Sequence, residues 1–213
     1  MADIFQEIDE DLRRDRMAKL WTRYGKYVVG AAVLIVVATA AGVAYQNYRQ
    51  QQYQALGLKY AETGLALQGG DDAKAIVGFE ALAAEDKAGY GLLARIEAAA
   101  LKAKDSKDKE GGLAGLEAIA ADGSVDRVYR DLATVLAGLY GIDNAKPEAT
   151  IAQMKPLLDG PWHYTAREVT ALAELKAGDK AAALKTYQEL SDDLHAPPAL
   201  RSRATEIVNG LKN

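Results

Sequence analysis

The sequence predicts an all-α protein in which one membrane-spanning helix precedes a domain of stacked helix pairs. Three observations lead to this prediction. Residues 27–48 form a run of 22 residues without a single charge. The remainder is rich in Ala, Leu, Glu and Lys, which favour helices, and no segment of useful length alternates like a β-strand. One turn-and-helix pattern occurs twice, starting at residues 70 and 178.

Residues 1–26 are predicted to be a cytoplasmic amphipathic helix. Their apolar side chains are spaced mostly three or four apart, which gives one stripe along a helix: Ile4, Phe5, Ile8, Leu12, Met17, Leu20 and Trp21. Six acidic and six basic residues cancel, so attraction to anionic lipid is weak. The stripe is compatible with a helix on the membrane surface, a helix docked on a cytosolic partner, or a solvated lead-in to the next segment.

The uncharged run Tyr27–Tyr48 is predicted to cross a membrane. At about 1.5 Å per residue a helix of this length spans a hydrocarbon core of about 30 Å. Trp21 and Tyr24 lie at one end and Tyr45 at the other, where aromatic rings prefer the headgroup level. Two alternatives are a signal peptide cleaved after Ala38-Thr39-Ala40 and the apolar core helix of a soluble protein.

Basic residues set the predicted orientation of this helix. Six of them precede the run, whereas residues 49–73 contain only Arg49 and Lys59. The positive-inside rule therefore predicts a cytoplasmic N-terminus and a domain, residues 49–213, on the far side of the membrane. The chain has no cysteine, which suits an oxidising compartment such as a bacterial periplasm without establishing it.

Charge and motif content argue against several functional classes. Residues 49–213 carry 20 basic and 24 acidic residues without a basic cluster, so no nucleic-acid surface is expected. His163 and His195 lie beside proline in predicted loops, and neither has a neighbour at metal-ligand spacing. Phosphate-binding, dinucleotide and nucleophile-elbow motifs are missing too. We expect no cofactor, metal or small-molecule substrate and no enzymatic activity; a hydrolase or isomerase with an unrecognised site is the remaining alternative.

Helix-breaking residues divide the domain into successive helices. Glycine, proline and short polar clusters end one helix and begin the next. The predicted breaks are Gly69-Gly70, Ser106 to Lys109, Asp122-Gly123, Gly160-Pro161, Gly178-Asp179 and Pro197-Pro198.

The repeated pattern places a small, an aromatic and an apolar residue at matching positions. The first copy is Gly70-Asp71-Asp72-Ala73-Lys74-Ala75-Ile76, with Phe79 and Leu82 after it. The second copy is Gly178-Asp179-Lys180-Ala181-Ala182-Ala183-Leu184, with Tyr187 and Leu190 after it. Both resemble the turn and second helix of a tetratricopeptide repeat, in which the small residue lets two helices approach closely.

Two weaker copies fit between them. They are Gly112, Leu116 and Ile119 in one, and Thr150, Met154 and Leu157 in the other. The small positions 75, 112, 150 and 183 are 37, 38 and 33 residues apart, close to the 34-residue repeat. The sequence therefore predicts a tetratricopeptide-like α-solenoid of about four helix pairs, with a capping helix near Ala199 to Leu211. A generic helical bundle is the alternative.

Trp162 and Tyr164 are the candidate partner-binding residues. They follow Gly160-Pro161 at the start of a predicted helix. Trp and Tyr supply much of the rigid contact area at protein interfaces. The alternative is that Trp162 packs between adjacent repeats.

The whole chain resembles the tetratricopeptide-like family of the ancillary SecYEG translocon subunit of bacterial inner membranes. The resemblance rests on Trp21, Tyr24-Gly25-Lys26, Gly30, Gly42 and Tyr45 around the predicted span, followed by Ala-rich repeats. It implies a non-enzymatic scaffold beside the translocon. Its implied partners are translocon subunits, exported polypeptides and periplasmic chaperones, including a membrane-anchored one of the prolyl isomerase type. An accessory subunit of another inner-membrane assembly, respiratory or cell-envelope, is the alternative function.

Overall fold

The computed structural model describes residues 2–104 and 107–212 and is all-helical there. This part of the chain contains nine α-helices, one 3₁₀ helix and no strand, which confirms the predicted fold class. The chain divides into two units, Met1–Ala55 and Leu56–Asn213, which are described separately below.

The first unit consists of the N-terminal part of helix α1, whose full range is Ala2–Gln68. Across residues 27–48 every side chain is exposed, although the run is strongly apolar. By length and composition this is the one helix in the described residues that is able to cross a membrane; its most apolar window has a mean hydropathy of 2.3. The predicted stripe at residues 4–12 falls on side chains outside the described ones.

A basic side chain lies over a tyrosine ring at each end of the uncharged run. Lys26 Nζ is 5.1 Å from the ring centre of Tyr27, and the Arg49 guanidinium carbon is 5.9 Å from that of Tyr45. Such pairs suit the headgroup level of a bilayer, where aromatic rings and cations both find polar surroundings. They lie at the limits that the sequence predicts for the span.

The second unit contains the remaining helices, joined by short connections. They are α2 (Asp72–Glu85), α3 (Gly89–Lys104), α4 (Lys109–Ala121), α5 (Arg127–Gly141), α6 (Pro147–Met154), α7 (His163–Lys176), α8 (Lys180–Asp192) and α9 (Pro198–Lys212). A 3₁₀ turn, Lys155–Leu157, continues α6.

These helices form four pairs and a closing helix. The first helices of the pairs are the end of α1 from Leu56 onward, α3, α5 and α7. The second helices are α2, α4, α6 and α8, and α9 closes the stack. Each second helix packs against the first helix of the next pair, and α8 packs against α9, as in an α-solenoid. The predicted arrangement is confirmed.

The repeated small, aromatic and apolar positions form the core of this stack. All twelve are buried: Ala75, Phe79, Leu82, Gly112, Leu116, Ile119, Thr150, Met154, Leu157, Ala183, Tyr187 and Leu190. Gly112 shows why the first of the three positions in each copy must hold a small residue. A Cβ added there would overlap the backbone nitrogen of Ala103 on α3, so α3 and α4 touch at this point.

The two strong copies of the motif fold identically. Gly70 and Gly178 take left-handed conformations, with φ of 79° and 84°, at the end of their first helices. Each is followed by an aspartate that caps the second helix: Asp71 Oδ1 accepts from Lys74 N at 3.0 Å, and Asp179 Oδ1 accepts from Ala182 N at 2.9 Å. Glycine tolerates the left-handed turn and the carboxylate satisfies a free helical N–H, so two residues specify the connection.

Two connections between helices were not predicted from the sequence. One, at residues 86–88, separates α2 from α3; there Asp86 has extended backbone and its Oδ1 accepts from Ala88 N at 3.1 Å. The other, at residues 142–146, ends where Pro147 occupies the first turn of α6. His163, expected in a loop, instead begins α7, because the carbonyl of Trp162 before it accepts the first helical bond, from Ala166 N–H at 2.8 Å. Predicted break residue 106 lies outside the described residues.

Candidate functional site

Glu97 on α3 has a tyrosine within reach of its charge on each of the two neighbouring first helices, α1 and α5. Glu97 lies on α3 and is half-buried, and its charge acts on the hydroxyl groups of Tyr60 on α1 and Tyr140 on α5. We call these three residues the Glu97 cluster. The ring of Tyr60 also contacts the rings of Phe79 and Tyr90, with ring centres 5.2 and 5.6 Å apart.

The Glu97 carboxylate is poorly compensated. In the part of the chain that the structure describes, no basic side chain forms an ion pair with it. Burial raises the pKa of Glu97. Burial also raises the pKa of Tyr60 and of Tyr140, and the Glu97 charge adds to both effects. A half-buried carboxylate between tyrosines is suited to receive a cation or an N–H donor from a bound chain.

Trp162 lies between two repeats. Its indole Nε1–H donates to the carbonyl of Val128, at the start of α5, over 2.7 Å. The half-buried ring packs against the cluster that contains Met154 and Val169. These contacts tie α7 to the preceding pair and account for a tryptophan at this position. Binding of a partner by Trp162 stays a prediction.

Tyr164 is the second candidate and the second residue of α7. Its hydroxyl donates to Asp193 Oδ2 at 3.1 Å, and its ring lies 3.9 Å from that of His163, centre to centre. The backbone N–H of His195, more than the Tyr164 hydroxyl, holds the pKa of Asp193 below its ordinary value. Tyr164 is half-buried, so part of the ring remains available to a partner, and its role stays a prediction.

Polar contacts one repeat apart hold successive pairs in register. Arg203 on α9 makes a two-pronged ion pair with Glu168 on α7, with N–O distances of 2.9 to 3.0 Å. Lys176 Nζ donates to the carbonyl of Ile142 at 2.7 Å and to Asp143 Oδ1 at 2.9 Å. These partners are separated by 33 to 35 residues, which is the repeat length itself.

An apolar groove opens beside α6. Its volume is about 450 Å³, and its lining comes from α6, the residues after it and α7: Glu148, Ile151, Ala152, Lys155, Leu158 and Thr170. The Thr170 hydroxyl donates to the carbonyl of Ala166, so that its methyl group remains to line the groove. No group of His, Cys, Asp and Glu side chains in the described residues is arranged to hold a metal ion.

The sequence of this helical arrangement matches a known protein family. Residues 18–207 match the family described as tetratricopeptide repeat-like domain. The chain belongs to this family. The match covers the uncharged run as well as the repeats, so both are part of one family unit. No curated protein and no solved structure matches the chain.

Membership of this family suggests a role in protein–protein contacts. Tetratricopeptide repeat-like domains mediate contacts between proteins and are typically non-catalytic.

The Glu97 cluster was not predicted from the sequence, because Glu97 is one of many acidic residues on Ala-rich helices. Its half-buried position emerges only when three helices come together.

Proposed function

We propose that this protein is a membrane-anchored, non-enzymatic scaffold that binds other proteins through its tetratricopeptide-like domain. The carrying observation is the stack of four helix pairs, whose first helices bring a half-buried carboxylate and tyrosines together at the Glu97 cluster. Binding by such a surface needs no catalytic group, so it does not require any of the catalytic motifs considered in the sequence.

Anchoring is supported by the first unit of the chain. An apolar, fully exposed helix of this length has no stable place in water, since burial of apolar surface is the main force in folding. The Lys26–Tyr27 and Arg49–Tyr45 pairs lie at the two ends of the uncharged run. The basic residues before it favour a cytoplasmic N-terminus and a periplasmic domain.

The Glu97 cluster suggests how a polypeptide is held. An extended or helical segment that passes along the first helices would present backbone N–H groups or a Lys or Arg side chain to the carboxylate. The tyrosine rings supply apolar contact area and favour a cation nearby. A carboxylate that costs stability in the free protein becomes favourable once a cation pairs with it.

The resemblance of the span and repeats to the SecYEG ancillary subunit suggests where the scaffold acts. In this proposal the protein stands beside the Sec translocon of a bacterial inner membrane and assists export or periplasmic folding. Its partners are translocon subunits, periplasmic chaperones or exported polypeptides. Anchoring confines the domain to the membrane surface and raises its effective concentration at the exit site.

Photo-crosslinking in the membrane tests the location. A photoreactive residue is introduced at Leu34 in the predicted span or at Tyr164 in the domain, and the adducts are identified by mass spectrometry. We expect translocon subunits from Leu34, and chaperones or nascent exported chains from Tyr164. A single stoichiometric partner from another assembly at Leu34, with no clients at Tyr164, would contradict the translocon proposal.

That contrary result would favour an accessory subunit of another inner-membrane complex. Gly30, Ala31, Ala38, Ala41 and Gly42 give the span small residues that allow close helix packing. Gly30 and Gly42 have open space around the position of an added Cβ, so a neighbouring helix is able to approach there. Exchange of the span for an unrelated one would then release the protein from its complex.

A further inference from the structure

Helix α6 is the short member among the second helices. It has 8 residues, whereas α2, α4 and α8 have 13 or 14. The cause is Pro156, which has no N–H to donate to the carbonyl of Ala152 and so ends the regular helix in a 3₁₀ turn. The chain turns away early, Leu158 stays partly uncovered, and the apolar groove of about 450 Å³ lies beside it.

The outer face of α6 has a symmetric charge pattern. Glu148, Ile151, Ala152 and Lys155 follow each other at intervals of three, one and three, so they share one side of the helix. Acidic and basic side chains stand at the two ends, and the apolar pair lies midway between them. Within the described chain neither Glu148 nor Lys155 has an ion-pair partner, and both are exposed.

This pattern is specific to α6. At the equivalent positions α4 has Glu110 and Glu117 around Leu113 and Ala114, so two such faces would repel each other. In α2 the ends are Ala73 and Glu80, and in α8 they are Ala181 and Gln188. Of the four second helices, α6 therefore has the face whose ends carry opposite charges around an apolar centre.

We propose that a second copy of this chain docks on the α6 face through a two-fold axis near Ile151 and Ala152. An antiparallel copy places the partner's Lys155 opposite Glu148, and the partner's Glu148 opposite Lys155. Both charge pairs form at once, because a two-fold interface uses the same patch on each copy. Ala152 is small enough to let the two helices approach, and the side chain of Ile151 enters the groove of the other copy.

The two kinds of contact have different roles in this dimer. Burial of Ile151, Leu158 and the Thr170 methyl group supplies the association free energy, since apolar contact is the main driving force of association. Exposed ion pairs add little affinity, but mismatched charges are costly, so Glu148 and Lys155 select the antiparallel register. Substitution of Glu148 or Lys155 therefore tests the antiparallel register of the dimer.

Charge exchange gives the first test, on the full chain in detergent. Glu148→Lys and Lys155→Glu each create two like-charge pairs, and we expect each alone to weaken self-association about tenfold or more. An equal mixture of the two variants forms opposite pairs and is expected to regain dimers, measured by light scattering. Circular dichroism checks that both variants are folded. If the mixture stays monomeric, or if the unchanged chain is monomeric throughout, the proposal is overturned.

A cysteine crosslink gives the second test, because the chain has no native cysteine to interfere. Ala152→Cys near the axis is expected to form a disulfide-linked dimer in membranes under mild oxidation. The matched control is Ala114→Cys, the equivalent exposed position on α4, which is expected to remain reduced. Equal linkage at both positions, no linkage at Ala152, or linkage of Ala152 only to a different protein would overturn the second-copy proposal.

Discussion

At the scale of single residues, Tyr187 shows that the stack tolerates an imperfect core. It is fully buried on α8, and its hydroxyl has no hydrogen-bond partner in the described structure. Burial, with the Glu168 charge as a smaller cause, raises the pKa of Tyr187 to about 12. The equivalent position of the first repeat is Phe79, which fills the same kind of space without a polar atom.

Tyr187→Phe is therefore expected to leave stability unchanged or to raise it by about 1 kcal/mol, because an unsatisfied buried hydroxyl is removed. Tyr164→Phe is the control, since the Tyr164 hydroxyl does have a partner in Asp193. The control is expected to lose stability, because it removes a hydrogen bond that is made in the folded chain. Chemical denaturation measures both. A larger loss for Tyr187→Phe than for Tyr164→Phe would show that the buried hydroxyl is bonded after all.

Glu97→Gln tests the half-buried carboxylate through the pH dependence of stability. The pKa of Glu97 is raised in the folded chain, so the folded chain holds this proton more tightly than the unfolded chain does. Stability accordingly falls as pH rises from the ordinary value of 4.5 through the raised pKa, and the loss persists above it.

The glutamine variant avoids this loss. We expect it to be more stable than the unchanged chain near neutral pH, with a difference that shrinks as the pH falls through the raised pKa of Glu97 towards 4.5. Glu117→Gln, at an exposed position on α4, is the control for the loss of a carboxylate and is expected to change stability little. A glutamine variant that is less stable at neutral pH would indicate a partner for Glu97 within the protein.

At the scale of elements, the connections whose residues specify one backbone conformation were predicted from the sequence. The connections whose residues accept many conformations were not. The Gly-Asp turns at residues 70 and 178 need a left-handed glycine and a capping carboxylate. Two adjacent residues in the sequence specify both. The connection at residues 86–88 depends on the extended backbone of Asp86, a residue type that many conformations accept. Pro147 was a usable signal for the start of α6, since proline is favoured in a first helical turn.

Ala183→Leu tests the repeat alignment within one helix pair. Ala183 is fully buried where α7 and α8 approach, so three extra carbon atoms should overpack the pair and cost about 1–3 kcal/mol. Ala181→Leu, on the exposed side of the same helix, is the control and should change stability little. Thermal unfolding measures both. If Ala183→Leu melts like the unchanged chain, the small position of the repeat has been misassigned.

At the scale of the whole molecule, the sequence predicted the number of pairs but not the surfaces that they create. The four small positions determine the pairing because each is a local requirement for close helix contact. The Glu97 cluster joins residues 37 and 43 positions apart on different helices, and no pattern within one helix indicates it. The groove beside α6 needs both an early helix end at Pro156 and the neighbouring face of α7.

Membrane topology is the first prediction at this scale. Single cysteines at Ala18 and Gln54, before and after the uncharged run, report the side of the membrane through a thiol reagent that cannot cross it. We expect labelling of the Gln54→Cys chain, and of the Ala18→Cys chain only after the membrane is opened. Labelling of both in intact cells would contradict a membrane-spanning helix, and the reverse pattern would contradict the orientation.

The proposed function requires that the first helices of this domain bind another polypeptide. The most direct measurement replaces Tyr140, beside Glu97, with a photoreactive aromatic residue in the full-length chain, and irradiates cells that express it. Ala118, exposed on α4, is replaced in the same way as a control. We expect discrete adducts with other polypeptides from residue 140 that are missing from residue 118 and are reduced by Glu97→Gln. The same adducts from both positions, or none from residue 140, would contradict it.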